Sequence, residues 1–96
     1  MTGLDQVLTR EVAKWRSEPY STFIGWSRGF HSYSIQEDGT QYEIEIHKKK
    51  SDLNPEIIVM FEVSKRAILG AWVGKAKYFA VSPSGVVRDA TPDEAF

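Results

Sequence analysis

Glu43, Glu45 and His47 recur at every second position of the chain. On a strand, that spacing places two carboxylates and an imidazole on one face, a set that can ligate a divalent cation. Glu62 can join them from a neighbouring strand. The steps are long, however. Alternate residues of a strand sit about 6.5–7 Å apart, too far to close on one ion unaided. A solvated sheet face carrying cross-strand charge pairs to lysines shows the same pattern. We read it that way and expect no metal and no cofactor.

The basic residues offer a second chemistry. Lys48, Lys49, Lys50, Lys65, Arg66, Lys75 and Lys77 fall in one middle segment, and Trp72 and Tyr78 could stack on bases. An antiparallel sheet presenting aromatics and cations is a common platform for single-stranded nucleic acid. Residues 48–77 hold seven basic and three acidic side chains, yet the whole chain carries a net charge of −1. The aromatic consensus of the RNA-recognition sheet is missing. Strand ends also often carry lysine simply to block edge pairing. Nucleic-acid binding through Lys48, Lys49, Lys50, Lys65, Arg66 and Lys75 is therefore the alternative reading.

Catalytic groupings are thin. Gly70-Ala71-Trp72-Val73-Gly74-Lys75 is one residue shorter than a phosphate loop and lacks the Ser or Thr that should follow. The chain has no cysteine, and neither His31 nor His47 has a Ser/Asp arrangement around it. No catalytic residue is assigned and no enzymatic activity is expected. The absence of cysteine excludes disulfides and thiolate metal sites and fits a reducing, cytoplasmic location. The longest uncharged run, residues 78–87, is broken by Pro and Gly and is too short to span a bilayer. The N-terminus shows an amphipathic pattern and no signal-peptide apolar core.

An apolar pair is more informative. Tyr42, Ile44 and Ile46 alternate with Glu43, Glu45 and His47, and Ile57, Val59, Phe61 and Val63 repeat the alternation. These apolar residues of both stretches point to a core. Ile58 and Met60 then point to the opposite, nominally wet face. Two large apolar residues there imply a cover. The candidates are a second subunit, a different partner protein, or the chain's own segment 66–74. Ile58, Met60, Trp72 and Phe96 are the expected interface residues, with a homodimer as the first expectation.

The elements that position these residues follow from spacing. Leu4, Val7, Leu8, Val12 and Trp15 predict a helix over about 3–17, capped by Thr2 with Asp5 three residues on. Ser17, Pro19 and the apolar Tyr20, Phe23 and Ile24 predict a short second helix closed by Gly25. Trp26 is expected as a lid on the core edge, with a ligand-stacking platform as the alternative. Asp38-Gly39 is a two-residue hairpin signal, because a type I′ turn needs positive φ at both central positions. Folding there sets Glu37 against Thr40, Ile35 against Tyr42, Tyr33 against Ile44 and His31 against Ile46. After a loop containing Asn54-Pro55 comes the strand Ile57 to Val63. Residues 65–74 show no clean period. Residues 77–82 read as a fourth strand, Ser82-Pro83-Ser84-Gly85 as a β-turn, and Val86-Val87 as a short fifth strand. The domain is placed at 1–90 and an acidic tail at 91–96.

The stretches Pro19-Tyr20, Tyr42 to Ile46, Ile57 to Val63 and Ser82 to Gly85 resemble those of a scattered group of small uncharacterised bacterial proteins. The resemblance implies an α+β fold and a bacterial or phage origin, and it carries no activity and no functional residues. The chain departs from that group over 65–77, which is more basic and contains glycine. The sequence thus predicts one α+β domain, with helix packed on an antiparallel meander of four or five strands. Its expected role is protein interaction.

Overall fold

The computed structural model describes residues 3–26, 29–51, 54–66 and 70–95. Its elements run α1 (Leu4–Arg16), α2 (Tyr20–Ile24), β1 (Phe30–Glu37), β2 (Thr40–Lys50), β3 (Ile57–Arg66), β4 (Trp72–Val81), β5 (Val87–Asp89) and α3 (Pro92–Ala95). The strands form one antiparallel sheet in chain order, β1-β2-β3-β4-β5. The class is α+β, as the periodicity predicts.

The β1–β2 hairpin has the expected register. Glu37 pairs with Thr40, Ile35 with Tyr42, Tyr33 with Ile44 and His31 with Ile46. Asp38 and Gly39 both take positive φ, 50° and 76°, as a type I′ turn requires. The turn chemistry and the side-chain alternation agree, so one register satisfies both.

The core lies between α1 and one sheet face. Val7, Leu8 and Val12 of α1 and Phe23 of α2 pack against Tyr42, Ile44, Ile46, Ile57, Val59, Phe61, Val63, Phe79 and Val81. Helix α1 starts one residue later than predicted. The Gly3 N–H donates to the Gln6 side chain at 3.2 Å; the expected cap Thr2 lies outside the described residues. Asp5 near the start and Lys14 and Arg16 near the end match the helix dipole. At the end of α2, Lys48 Nζ reaches across from β2 and donates to the carbonyls of Phe23 and Trp26. This lysine holds groups that a helix C-terminus leaves without partners.

β4 differs from its expected bounds. It begins at Trp72, five residues earlier than predicted. Residues 72–77 are all exposed, so neither face imposes an apolar alternation. The periodicity that marks a half-buried strand is absent there for that reason. Residues 72–74 consequently do not fold over the outer face, and residues 67–69 lie outside the described residues.

Candidate interaction surfaces

The outer sheet face is built from even-numbered residues of β1, β3, β4 and β5 and odd-numbered residues of β2, since pairing keeps opposed side chains on one side. Across it run rows. Phe30, His47, Met60 and Tyr78 make one, and Lys49, Ile58, Ala80 and Arg88 the next. A third row sets Glu45 directly opposite Glu62. His47 approaches Glu45 at 3.7 Å and stacks on Phe30 at 5.9 Å between ring centroids. Among the described residues, no three His, Asp or Glu side chains converge as a metal ion requires.

Ile58 is not an exposed interface residue. It is 2% exposed and Ala80 is fully buried. The chain's own C-terminal helix packs on the strand that carries Ile58. α3 lies against β3, and Glu94 accepts from Arg88 Nη2 at 2.7 Å. The same Arg88 donates to both oxygens of Glu56, at 2.8 and 3.0 Å. Glu94 also accepts from the Thr91 N–H at 2.8 Å. Arg88 and the Thr91 backbone hold the Glu94 carboxyl down at about 2. Arg88 also holds Glu56 below its ordinary value, while the two carboxylates raise Arg88. The stretch read as an acidic tail, in which Thr91 to Glu94 has the form of a helix start, is there a docked turn and helix. Met60, one row further, stays half-buried. Phe96 lies outside the described residues.

Trp72 stands out on β4. It is 55% exposed and its neighbour Val73 41%. The Arg66 guanidinium sits 5.4 Å from its ring centroid. On one side of Trp72 lies a hollow of about 490 Å³ floored by Ser64, Gly74 and Ala76. On the other lies one of about 370 Å³ lined by Gln41, Glu43 and Arg66. A Cβ at Gly74 would meet the Val63 carbonyl oxygen at 3.2 Å, a tight contact that would push this floor by a few tenths of an ångström. β5 pairs only with Phe79 to Val81, so the far edge of β4 is uncovered over 72–77.

The six basic residues of the nucleic-acid reading do not come together. Lys48 pairs with Val59, and Lys65 lies six residues further along β3. That places the two basic groups about 20 Å apart, at opposite ends of the sheet. Lys48 is bound to carbonyls, Lys75 to Asp5 at 2.6 Å, and Arg66 to the Trp72 ring. Lys48, Lys49 and Lys50 do share one hollow, with Tyr20, Ile24 and Ile57, away from Lys65, Arg66 and Lys75.

Sequence reasoning missed Glu11. It is 2% exposed on the core side of α1. The Tyr33 hydroxyl donates to it at 2.7 Å and accepts from Trp15 Nε1 at 2.9 Å. Burial raises the Glu11 carboxyl, but Tyr33, Lys14 and Arg10 outweigh it and hold the group below its ordinary value. Burial pushes the Tyr33 hydroxyl up to about 12, with the Glu11 charge adding to the effect. His31, on the inner face, sits among the rings of Trp15, Trp26 and Tyr33 at 5.5–5.8 Å. Trp26 packs on Trp15 and Phe23 at the core edge. The spacing 4, 8, 11, 15 already puts Glu11 on the apolar stripe, which is the signal that could have found it.

Comparison with protein-family models, curated proteins and solved structures gives no match to this chain.

Proposed function

We propose that this chain is a non-enzymatic protein-interaction domain that works as a homodimer. The observation that carries the reading is the sheet, which among the described residues ends on both sides in strand backbone without a strand partner. β1 is the terminal strand at one edge, and β4 is uncovered over 72–77 at the other. Unpaired strand N–H and C=O groups are a template for another strand. Main-chain bonds give such pairing its affinity, and alternate side chains give it specificity. Trp72 adds an exposed aromatic of the type that anchors protein interfaces. Size-exclusion chromatography with light scattering over a concentration series tests the reading. A dimer mass supports it. A monomer mass at every concentration removes the homodimer.

A further inference from the structure

We infer that two copies of the chain pair through β1, edge to edge and antiparallel, about a two-fold axis at Ser34. The inference rests on the homodimer reading above and names its interface.

The backbone supplies the first argument. The Lys48 N–H donates to the Gly29 carbonyl at 2.9 Å, which fixes the phase of the β1–β2 ladder. Odd residues of β1 therefore turn their N–H and C=O groups to β2. Ser32, Ser34 and Gln36 turn theirs outward, since the two kinds of position alternate in an antiparallel pair.

The two open edges are not equivalent. Proteins protect free edges with lysine, proline, bulges or very short strands. β4 carries Lys75 and Lys77 over its open stretch. β1 runs Phe-His-Ser-Tyr-Ser-Ile-Gln-Glu, eight residues with no lysine and no proline. Its pairing with β2 is continuous from Phe30 to Glu37, with no bulge.

The inner face of β1 is also only partly roofed. α1 lies over β3 and β4. His31 is left exposed, and Tyr33 and Ile35 are half-buried. A second β1 laid alongside would extend this partly covered strip and bury Tyr33 and Ile35 further.

Side-chain chemistry then selects the register. A two-fold pairing centred on Ser34 sets Tyr33 against Ile35, Ser32 against Gln36 and His31 against Glu37, each pair twice by symmetry. Apolar meets apolar, and an imidazole that can donate an N–H meets a carboxylate that accepts one. Aromatic–β-branched pairs are favourable cross-strand partners. Centring on Tyr33 sets His31 against Ile35. Centring on Ile35 sets Tyr33 against Glu37. Centring on Ser32 or Gln36 shortens the overlap and sets Ile35 against Gly29 or Glu37. Only the Ser34 register matches both pairs at once. Glu37 keeps its own Arg10 in this arrangement.

Four substitutions test this on the full chain, two proline variants read by light scattering and circular dichroism and two cysteine variants read by oxidative cross-linking. Ser34→Pro removes an outward N–H, which an edge strand tolerates in the monomer. It should halve the mass of the wild-type dimer with the native spectrum kept. Ala76→Pro, the matched change on the β4 edge, should leave the dimer mass unchanged. Ser34→Cys should cross-link to itself on mild oxidation, since directly opposed residues of a hydrogen-bonded pair lie about 5.5 Å apart between Cα atoms, within disulfide range. Ser32→Cys should not, because its symmetry mate sits about 13 Å away in this register. The chain has no other cysteine to confuse the result.

A wild-type dimer that Ala76→Pro dissociates, or that survives Ser34→Pro while Ser34→Cys fails to cross-link, overturns the β1 interface and leaves the homodimer standing. A wild-type monomer at every concentration overturns both. If Ser34→Pro does not fold, the two cysteine variants decide alone.

Discussion

At Gly39 a single hydrogen in place of a side chain allows φ of 76°. A β-branched residue there pays the left-handed penalty of roughly 1–2 kcal/mol. Gly39→Val is expected to lower stability by about that much, read as a shift of the urea midpoint at constant slope. Tyr33 makes a pH prediction. Its hydroxyl titrates at about 12 in the fold against 10.0 ordinarily. A raised pKa means that the stabilisation is complete below pH 10 and is lost as pH climbs through 12. A melting-temperature series should therefore fall across that window. Tyr33→Phe should flatten the Tyr33 part of the fall and cost about 1–3 kcal/mol at neutral pH, because Glu11 is left buried with one donor fewer. A Tyr33→Phe protein as stable as the wild type would contradict the assigned role. Glu11 was legible only in hindsight of its stripe. A carboxylate among apolar positions reads as solvent-facing unless a distant hydroxyl is known to meet it.

The elements show where sequence patterns carry information and where they stop. The hairpin register could be deduced because turn chemistry and alternation constrain it independently. The start of β4 could not, because a strand exposed on both faces leaves no periodicity. The docking of α3 against β3 could not either. It depends on Arg88 reaching Glu56, which is 32 positions away in the chain. Arg88→Ala is expected to release α3. Hydrogen exchange should then show loss of protection at residues 92–95 and around Ile58, with the β2–β3 ladder unchanged. Acid should have a related effect. Glu94 is depressed to about 2 from 4.5, so its contribution holds above pH 4.5 and is lost as pH falls through 2. α3 protection that persists in Arg88→Ala would mean that apolar contacts alone hold the helix.

For the whole molecule, the sheet's ends matter more than its faces. The sequence pointed to Ile58 and Met60 as the interaction surface, because the burial of Ile58 within the chain could not be read from spacing. Trp72 was expected at an interface, and it is 55% exposed, but its place beside an open edge follows only from how short β5 is. Trp72→Ser removes an exposed side chain that touches little of the core. It should change stability by no more than about 0.5 kcal/mol, and it should leave the dimer mass unchanged if β1 is the interface.

The pair of lysines beside that open edge bears on how far assembly can go. β1 of one copy could in principle add to β4 of the next, and such a head-to-tail contact never closes; it grows a filament. Joining like edge to like edge consumes both β1 strands and stops at two copies. The outward ends are then β4 strands, where Lys75 and Lys77 of one copy would confront the same charges on another. On this view, the two lysines limit polymer length. The double substitution Lys75→Thr with Lys77→Thr should turn a soluble dimer into a turbid, thioflavin-positive suspension. A clear solution at equal concentration would show that something other than charge ends the chain of copies.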